Sequence, residues 1–196
     1  MKCAAFVDRD GTLNEMVYDP VHGLLDSPRR PEQVTLVKNA AEFLSGLRKL
    51  GYFIVIVTNQ PGISKGTLTL PELDSVNQRI ADLLEPAGWD DIRFCPHHPD
   101  FGSRCDCRKP LPGMLTSAAK DHRIDLSQSW MIGDGLIDIQ AGKAAGCSTL
   151  LVTKLKISVV ERFFDTNGAE PDFVAPDLMF ALDVIAGRAN TQKFRE

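Results

Sequence analysis

The stretch CAAFVDRDGTLN at residues 3–14 decides the fold, because a short apolar run there ends in two carboxylates and a glycine. Five apolar residues before a polar turn are typical of a buried strand. Residues i and i+2 point to the same side of a strand, so Asp8 and Asp10 would project together, and Gly11 permits a sharp turn after them. One carboxylate can attack phosphorus while the other moves a proton, if a cation reduces their repulsion. The alternative is an ordinary surface turn, where Asp and Gly are common.

Outward from this stretch, apolar runs alternate with segments of helical periodicity. The predicted strands cover residues 3–7, 52–57, 129–132, 149–152 and 173–175, with a possible short strand near 91–94, and the predicted helices cover 40–50, 70–84, 114–122, 137–145 and 177–185. Apolar strands separated by helices indicate a Rossmann-like three-layer α/β sandwich, whose mostly parallel central sheet carries helices on both faces. We expect one essentially capless domain over residues 1–186, loops at 15–33 and 61–69 near the entrance, and a polar tail over 187–196.

Composition predicts a soluble cytoplasmic enzyme that acts on a small molecule. The chain has 196 residues, 43% of them hydrophobic, and a net charge of -4, which argues against binding to nucleic acid or to an anionic membrane. The first apolar run is interrupted by Asp8 and is too short for a signal peptide. Five cysteines, three of them clustered, suit metal binding in a reducing compartment better than disulfides. We expect a monomer.

Polar clusters follow three of the predicted strands, and ligands of parallel sheets bind at that edge. The acidic pair Asp8 and Asp10 follows the first strand, and the segment TNQ at residues 58–60 follows the second. Thr58 offers a hydroxyl and Asn59 an amide to a phosphoryl oxygen, although both residues also end strands well. The three clusters are therefore predicted to converge on one site.

The third cluster is GDGLID at residues 133–138, which carries Asp134 and Asp138. Together with the acidic pair it forms an oxygen-rich set of the kind that Mg²⁺ prefers, whereas the alternative role for Asp134 is to cap a helix. Lys109, in the segment CRKP, could neutralise phosphate charge, although it could equally be a solvated lysine.

A Cys/His cluster predicts a structural zinc site between residues 95 and 107. The segment CPHHP at 95–99 is followed by CDC at 105–107, which offers three thiolates and an imidazole. This ligand set is typical of tetrahedral Zn²⁺ without an open position. From the residues alone, either His97 or His98 could reach the metal. The cysteines at positions 3 and 147 are interpreted as small buried hydrophobic residues.

Together, these motifs resemble the haloacid dehalogenase superfamily of phosphatases. Its four signatures occur in order as DRDGT at 8–12, TNQ at 58–60, Lys109, and Gly133-Asp134 with Asp138. Three longer segments, TNQPGI at 58–63, CPHHP at 95–99 and CDCRKP at 105–110, are similar to the heptose bisphosphate phosphatases and to the related histidinol phosphatases. The resemblance covers about residues 3–152.

The resemblance implies a phosphatase that acts on a phosphorylated sugar, D-glycero-D-manno-heptose 1,7-bisphosphate, in heptose precursor biosynthesis. It implies catalytic roles for Asp8 as nucleophile, Asp10 as general acid and base, and Thr58 and Lys109 as contacts of the transferring phosphoryl group. Substrate contacts would come from Asp8, Asp10, Thr58, Asn59, Gln60, Arg108 and Lys109.

The resemblance also implies two metals. Mg²⁺ would be held by the carboxylates of Asp8 and Asp134 and by the backbone carbonyl of Asp10, and Zn²⁺ by Cys95, His97, Cys105 and Cys107. Position 135 is glycine where this family often has lysine, which removes one possible substrate contact. The alternatives are a histidinol-phosphate phosphatase and a catalytically dead, zinc-stabilised binding module.

Overall fold

A computed structural model describes residues 1–20, 23–101, 104–156, 158–160, 162 and 170–188. The described strands are β1 (Ala4–Val7), β2 (Val17–Asp19), β3 (Leu24–Asp26), β4 (Phe53–Asn59), β5 (Asp91–Cys95), β6 (Trp130–Gly133), β7 (Ser148–Val152) and β8 (Phe173–Ala175). The described helices are α1 (Ala40–Lys49), α2 (Leu70–Leu84), α3 (Gly113–His122), α4 (Leu136–Ala145) and α5 (Leu178–Ile185). None of these helices has the length and apolar character needed to cross a bilayer.

Six of the strands form a parallel sheet in the order β5-β4-β1-β6-β7-β8. The chain builds outward from β1 to β4 and β5, and then crosses to the other side of β1 to add β6, β7 and β8. The strand order therefore reverses at β1, and the carboxyl end of β1 lies at the point where open α/β sheets bind ligands. The predicted parallel sheet is confirmed.

Alternation along the strands divides the core between the two faces of the sheet. In β1, Ala5 and Val7 pack into the apolar cluster beneath α1, α2 and α5. Ala4 and Phe6 point the other way and pack into a second cluster with residues of α3 and α4. All four side chains are fully buried, so the run that looked continuously apolar in sequence supplies both faces of a three-layer sandwich.

Most predicted elements are present, with shifted ends. Strand β4 was predicted to end at residue 57, but it continues through Thr58 and Asn59, which pair with Phe94 and Cys95 of β5. The possible strand near residues 91–94 is confirmed as β5, which continues to Cys95. The pairing of β4 with β5 explains why both strands extend beyond their predicted ends. Helix α2 begins after Thr69 as expected, because Glu72 accepts a hydrogen bond from the Thr69 backbone N–H at 2.7 Å.

The predicted loop at residues 15–33 instead contains a β-hairpin. Strands β2 and β3 pair antiparallel, with Tyr18 opposite Leu25, and both side chains are exposed. Three-residue strands without a buried face leave no alternating pattern in the sequence, which is why the hairpin was missed. Of the predicted polar tail, residues 189–196 lie outside the described residues.

Candidate active site

The first turn after β1 brings Asp8 to the centre of the sheet edge. The Asp8 backbone N–H donates to the carbonyl of Ile132 in β6 at 2.9 Å, and the residue is 6% exposed. Gly11 follows with φ +94°, in the left-handed region, and a Cβ there would overlap the carboxylate of Asp134. Glycine is therefore required for the close approach of this turn to Asp134.

Lys109 is buried against two carboxylates. Its ammonium forms ion pairs with Asp8 and with Asp138, the latter at 2.6 Å, and donates to the Val57 carbonyl at 2.8 Å. Burial alone would lower the pKa of Lys109, but the two carboxylates raise it above its ordinary value. The ammonium therefore stays charged across the accessible pH range.

Three carboxylates meet beside this lysine. Asp8, Asp134 and Asp138 each offer an oxygen, and these oxygens lie within 4.8 Å of one another. Asp134 is exposed and accepts a hydrogen bond from Thr12 Oγ1 at 3.1 Å. The backbone N–H of Gly135 donates to the Asp138 carboxylate at 3.0 Å. The capping hydrogen bond at the start of α4 is therefore made by Asp138 and not by Asp134.

Burial and crowding raise the pKa of two of these acids. Burial is the largest cause for Asp8, whose pKa lies well above its usual value despite Lys109, and the neighbouring carboxylates add to it. The pKa of Asp134 is also raised: although the residue is partly exposed, the surrounding groups desolvate its carboxylate, which is the largest cause, and Asp138 is the next. One ammonium therefore does not compensate three carboxylates, and a divalent cation fits this oxygen set.

Asp10 has the opposite environment. Burial would raise its pKa, but the guanidinium of Arg9 and hydrogen bonds from Asn14 and Ser27 lower it below the usual value. Arg9 donates to both carboxylate oxygens, with Nη2 at 2.9 and 3.0 Å. Asp10 is therefore held as a carboxylate in this structure.

Arg9 itself is fully buried, which its sequence position did not predict. A buried guanidinium needs several acceptors, and beyond Asp10 it finds the side-chain oxygen of Asn77 in α2, at 2.6 Å from Nη1. Through Arg9, the Asp10 carboxylate is therefore held in place and connected to helix α2.

The segment at residues 58–60 lies beside Asp10 and Lys109, as predicted. Thr58 Oγ1 donates a hydrogen bond to the Asp10 carboxylate at 3.1 Å, and Gln60 Nε2 donates another to the same carboxylate at 2.7 Å. Asn59 instead exchanges two hydrogen bonds with the backbone of Lys109, both at 3.1 Å. In this structure Asn59 thus holds the lysine, a role that the sequence pattern did not suggest, and its substrate contact stays a prediction.

The Cys/His cluster is assembled as a four-ligand set. Atoms of Cys95, His97, Cys105 and Cys107 lie within 4.8 Å of one another, with His97 Nδ1 at 3.3 Å from the Cys107 sulfur. Three thiols and an imidazole this close together match a tetrahedral zinc site. His98 is outside the cluster, because its ring lies against Phe101.

Arg108 lies between the zinc cluster and Lys109. Its Nη1 donates to the carbonyl of His97 at 3.0 Å, and the side chain is only partly buried. The loop therefore places a cation next to Lys109 in the chain, while the predicted substrate contact of Arg108 stays a prediction.

Comparison with known proteins agrees with this geometry. A family model described as HAD-hydrolase-like matches residues 106–181. A D-glycero-beta-D-manno-heptose-1,7-bisphosphate 7-phosphatase of Yersinia pestis is 36% identical over 158 residues, which is 77% of this chain and 80% of the relative. The chain belongs to the haloacid dehalogenase-like hydrolases.

Two solved structures support the assignment to these hydrolases. A D,D-heptose 1,7-bisphosphate phosphatase of B. bronchiseptica, complexed with magnesium and phosphate, matches with a TM-score of 0.77 at 29% identity and covers 96% of this chain and 100% of its own. A putative HAD-like phosphatase of Mesorhizobium loti matches with a TM-score of 0.75 at 29% identity and covers 98% of this chain and 90% of its own.

In this hydrolase, replacing Asp8 and Asp10 with asparagine should shift stability in opposite directions at pH 7. A carboxyl with a raised folded-state pKa destabilises the fold when ionised, and this cost disappears as the pH falls through that pKa. A carboxyl with a lowered pKa stabilises the fold above its unfolded pKa, and this gain is lost as the pH falls through the folded pKa. Asp8→Asn should therefore raise the melting temperature and Asp10→Asn should lower it. For a chain of this length, each kcal/mol of change in the free energy of unfolding shifts the melting temperature by about 2–4 °C.

The measurement is thermal unfolding of zinc-loaded protein without Mg²⁺. Adding Mg²⁺ should reduce the advantage of Asp8→Asn, because the cation relieves the same repulsion in the parent protein. Asp74→Asn, at an exposed position on α2, is the matched control. Equal shifts for Asp8→Asn and Asp10→Asn would contradict the assigned environments.

Proposed function

We propose that the protein is a Mg²⁺-dependent phosphatase that removes the 7-phosphate from D-glycero-D-manno-heptose 1,7-bisphosphate through a phospho-aspartyl intermediate. One observation carries the proposal: the buried ion pair of Lys109 with Asp8, beside Asp134, at the reversal point of the sheet. The substrate is supported by the heptose bisphosphatase activity named for its relatives.

The first half-reaction transfers the phosphoryl group to Asp8. A carboxylate oxygen of Asp8 attacks phosphorus, the bond from phosphorus to the sugar oxygen breaks, and Asp10 gives its proton to that oxygen. Asp10 is ionised in the structure, but an arriving phosphate dianion raises the pKa of a neighbouring carboxyl and so favours its protonation. Lys109 and Thr58 would stabilise the transferring oxygens.

The second half-reaction restores the enzyme. Asp10, now a carboxylate stabilised by Arg9, takes a proton from water as the water attacks phosphorus, and the phosphorus–Asp8 bond breaks. Mg²⁺, held by Asp8, Asp134 and the carbonyl of Asp10, would supply positive charge that offsets the repulsion between nucleophile and phosphate. Asp138 would act as a positioning residue for Lys109, given their 2.6 Å ion pair.

The finer predictions about metals and surroundings belong to the same proposal. Zn²⁺ in the Cys/His cluster would stabilise the loop that carries Arg108 and Lys109. The carboxylates of the site and the net charge of -4 support a small phosphorylated substrate rather than nucleic acid or a membrane. A cytoplasmic location and a monomeric state stay predictions.

Phosphate release from purified protein with Mg²⁺ tests the substrate. Both anomers of the heptose bisphosphate, histidinol phosphate and other sugar bisphosphates are compared. We expect kcat/KM for one heptose anomer to exceed that for histidinol phosphate at least about 100-fold, a discrimination that polar recognition can supply. A preference for histidinol phosphate would favour the alternative enzyme, and no release from any substrate would favour a dead binding module.

A further inference from the structure

Helix α2 carries one polar side chain on the face that it buries. The buried residues of this helix are Leu73, Val76, Asn77, Ile80 and Leu84, and Asn77 is 8% exposed. Asparagine is a weak helix former, and a buried amide costs free energy unless it is hydrogen-bonded. An apolar residue at this position would suit the core better, so packing does not account for the asparagine.

The side-chain oxygen of Asn77 accepts a hydrogen bond from Arg9, which comes from the turn after β1. Arg9 Nη1 lies 2.6 Å from this oxygen. The other two guanidinium nitrogens face the Asp10 carboxylate, with Nη2 at 2.9 and 3.0 Å from its two oxygens and Nε at 3.2 Å from one of them. The guanidinium is a planar, rigid fork, so the partner of one nitrogen affects where the other two point. Asn77 therefore holds the corner of the guanidinium that lies away from Asp10.

The position of Arg9 depends on this one amide. Among the described residues, the guanidinium bonds only to Asp10 and Asn77. The Arg9 side chain has no exposed surface, so bulk water does not offer a replacement acceptor. Loss of the Asn77 oxygen would leave a buried N–H without a partner, and the guanidinium would relieve this cost by turning.

The orientation of the Asp10 carboxylate depends in turn on Arg9. Arg9 Nη2 lies within hydrogen-bond distance of both carboxylate oxygens, and such a contact constrains the rotation of the carboxylate plane. The other donors to Asp10 each reach a single oxygen and are Asn14, Ser27, Thr58 and Gln60. A turn of the guanidinium would therefore turn the carboxylate that is assigned the proton transfer.

We propose that Asn77 is a positioning residue for proton transfer by Asp10 and that it acts through Arg9. The inference rests on the proposed function, because Asp10 must be the acid that protonates the departing sugar oxygen. The proton passes from Asp10 to that oxygen as the phosphorus–oxygen bond breaks, and Asn77 itself forms and breaks no covalent bond. Proton transfer needs the two oxygens within hydrogen-bond distance, so a small turn of the carboxylate slows it.

Steady-state phosphate release by Asn77→Leu, which removes the acceptor and keeps a side chain of similar shape, tests the proposal. Departure of a sugar alkoxide needs protonation, whereas p-nitrophenolate leaves without it, so a comparison of the two esters isolates the proton transfer. We expect kcat/KM to fall about tenfold for the sugar phosphate that the parent protein hydrolyses best, and less than about twofold for p-nitrophenyl phosphate. Asn77→Asp retains an acceptor oxygen and should keep kcat/KM for the sugar phosphate within about threefold of the parent value.

Val76→Ala is the matched control for general damage to α2. This neighbouring residue is fully buried in the same layer, but its side chain offers Arg9 no hydrogen-bond acceptor. The variant should melt at a lower temperature because it leaves a small cavity, yet the ratio of kcat/KM for the two esters should stay within about twofold of the parent ratio. A tenfold change of this ratio, on the order expected for Asn77→Leu, would show that loosening of α2 is sufficient and would overturn the proposal.

Combining Asn77→Leu with Asp10→Asn tests whether the two residues act together. If Asn77 acts through Asp10, its loss should change kcat/KM for the sugar phosphate less than about twofold once Asp10 has no proton to give. A further loss of about tenfold in the Asp10→Asn background would overturn the proposal, as would equal losses for the two esters in Asn77→Leu alone.

The proposed function fails by different results. Absence of hydrolysis by the parent protein, or equal losses of kcat/KM for the two esters with Asp10→Asn, would refute the proposed function or its assignment of Asp10, and the role of Asn77 with it. Both are measured in proteins that keep Asn77, so they are distinguishable from a failure of the Asn77 variants to show the expected losses.

Discussion

Asp8→Asn is expected to lower kcat by a factor on the order of 10⁴ to 10⁶ for every phosphate ester that the protein hydrolyses, as removal of a catalytic nucleophile does elsewhere. The amide keeps the shape of the carboxylate but cannot attack phosphorus to form an acyl phosphate. Because Asp8 is buried and its pKa is raised, the neutral amide should fold at least as well as the acid, so the loss is not explained by unfolding. Steady-state phosphate release and the melting temperature are measured together.

Asp10→Asn is the informative comparison for the nucleophile variant. Without a proton donor, departure of a sugar alkoxide should slow by about 10² to 10⁴, whereas p-nitrophenolate leaves without protonation and should be affected much less in that step. Asp8→Asn should abolish hydrolysis of both esters. Wild-type-like turnover by Asp8→Asn, or equal losses of kcat/KM for the two esters with Asp10→Asn, would contradict the assigned roles, because kcat/KM reports only the steps up to departure of the first product. Asp74→Asn should behave as the parent protein.

The fold was predictable because its strands carry a local signal. Short strands such as β1 and the central part of β7 are buried on both faces, and this burial leaves runs of consecutive apolar residues in the sequence. The rule that sites lie at the carboxyl ends of parallel strands then predicted that Asp8, Thr58 and Asp134 would converge. The structure brings them to the same edge of the sheet.

The parts that the sequence did not predict depend on contacts between distant residues. Asn59 was expected to bind substrate, yet its amide pairs with the backbone of Lys109, fifty positions away. The sequence carried no signal for the burial of Arg9, which is fully buried and donates to Asn77 of α2. In each case the side-chain type was visible in the sequence, whereas its partner is defined only by how helices and loops pack on the sheet.

The hairpin illustrates a different limit. Tyr18, Leu24 and Leu25 are exposed although they are apolar, so no alternation marks β2 and β3. Backbone pairing of the two short strands, rather than burial, defines this element. The residue that follows the hairpin, Ser27, donates its hydroxyl to Asp10 at 3.0 Å, so the unpredicted element leads directly to a contact with this carboxylate.

Removing zinc is expected to reduce both stability and activity. A structural site of three thiolates and an imidazole would link Cys95 and His97 to Cys105 and Cys107, and we expect its loss to lower the melting temperature by roughly 10 °C or more. Lys109 lies two residues after Cys107, and its ammonium must stay against Asp8. We therefore expect kcat/KM to fall about 10-fold to 100-fold, the range found when residues that support a site are lost.

Two pairs of variants separate zinc from general damage to the loop. His97→Ala should lose the metal, measured by mass spectrometry of bound zinc, whereas His98→Ala should retain it, because only His97 points at the thiols. Cys107→Ser should lose zinc and activity. Cys3→Ser should keep both, because Cys3 lies far from the cluster in sequence and is exposed, so the prediction that it is buried was wrong. A zinc-selective chelator should lower kcat/KM at saturating Mg²⁺, and added zinc should restore it. Full activity in protein shown to contain no zinc would mean that the contacts of Lys109 with Asn59, Asp138 and the Val57 carbonyl are sufficient to position it, and the metal would then have no part in forming the active site.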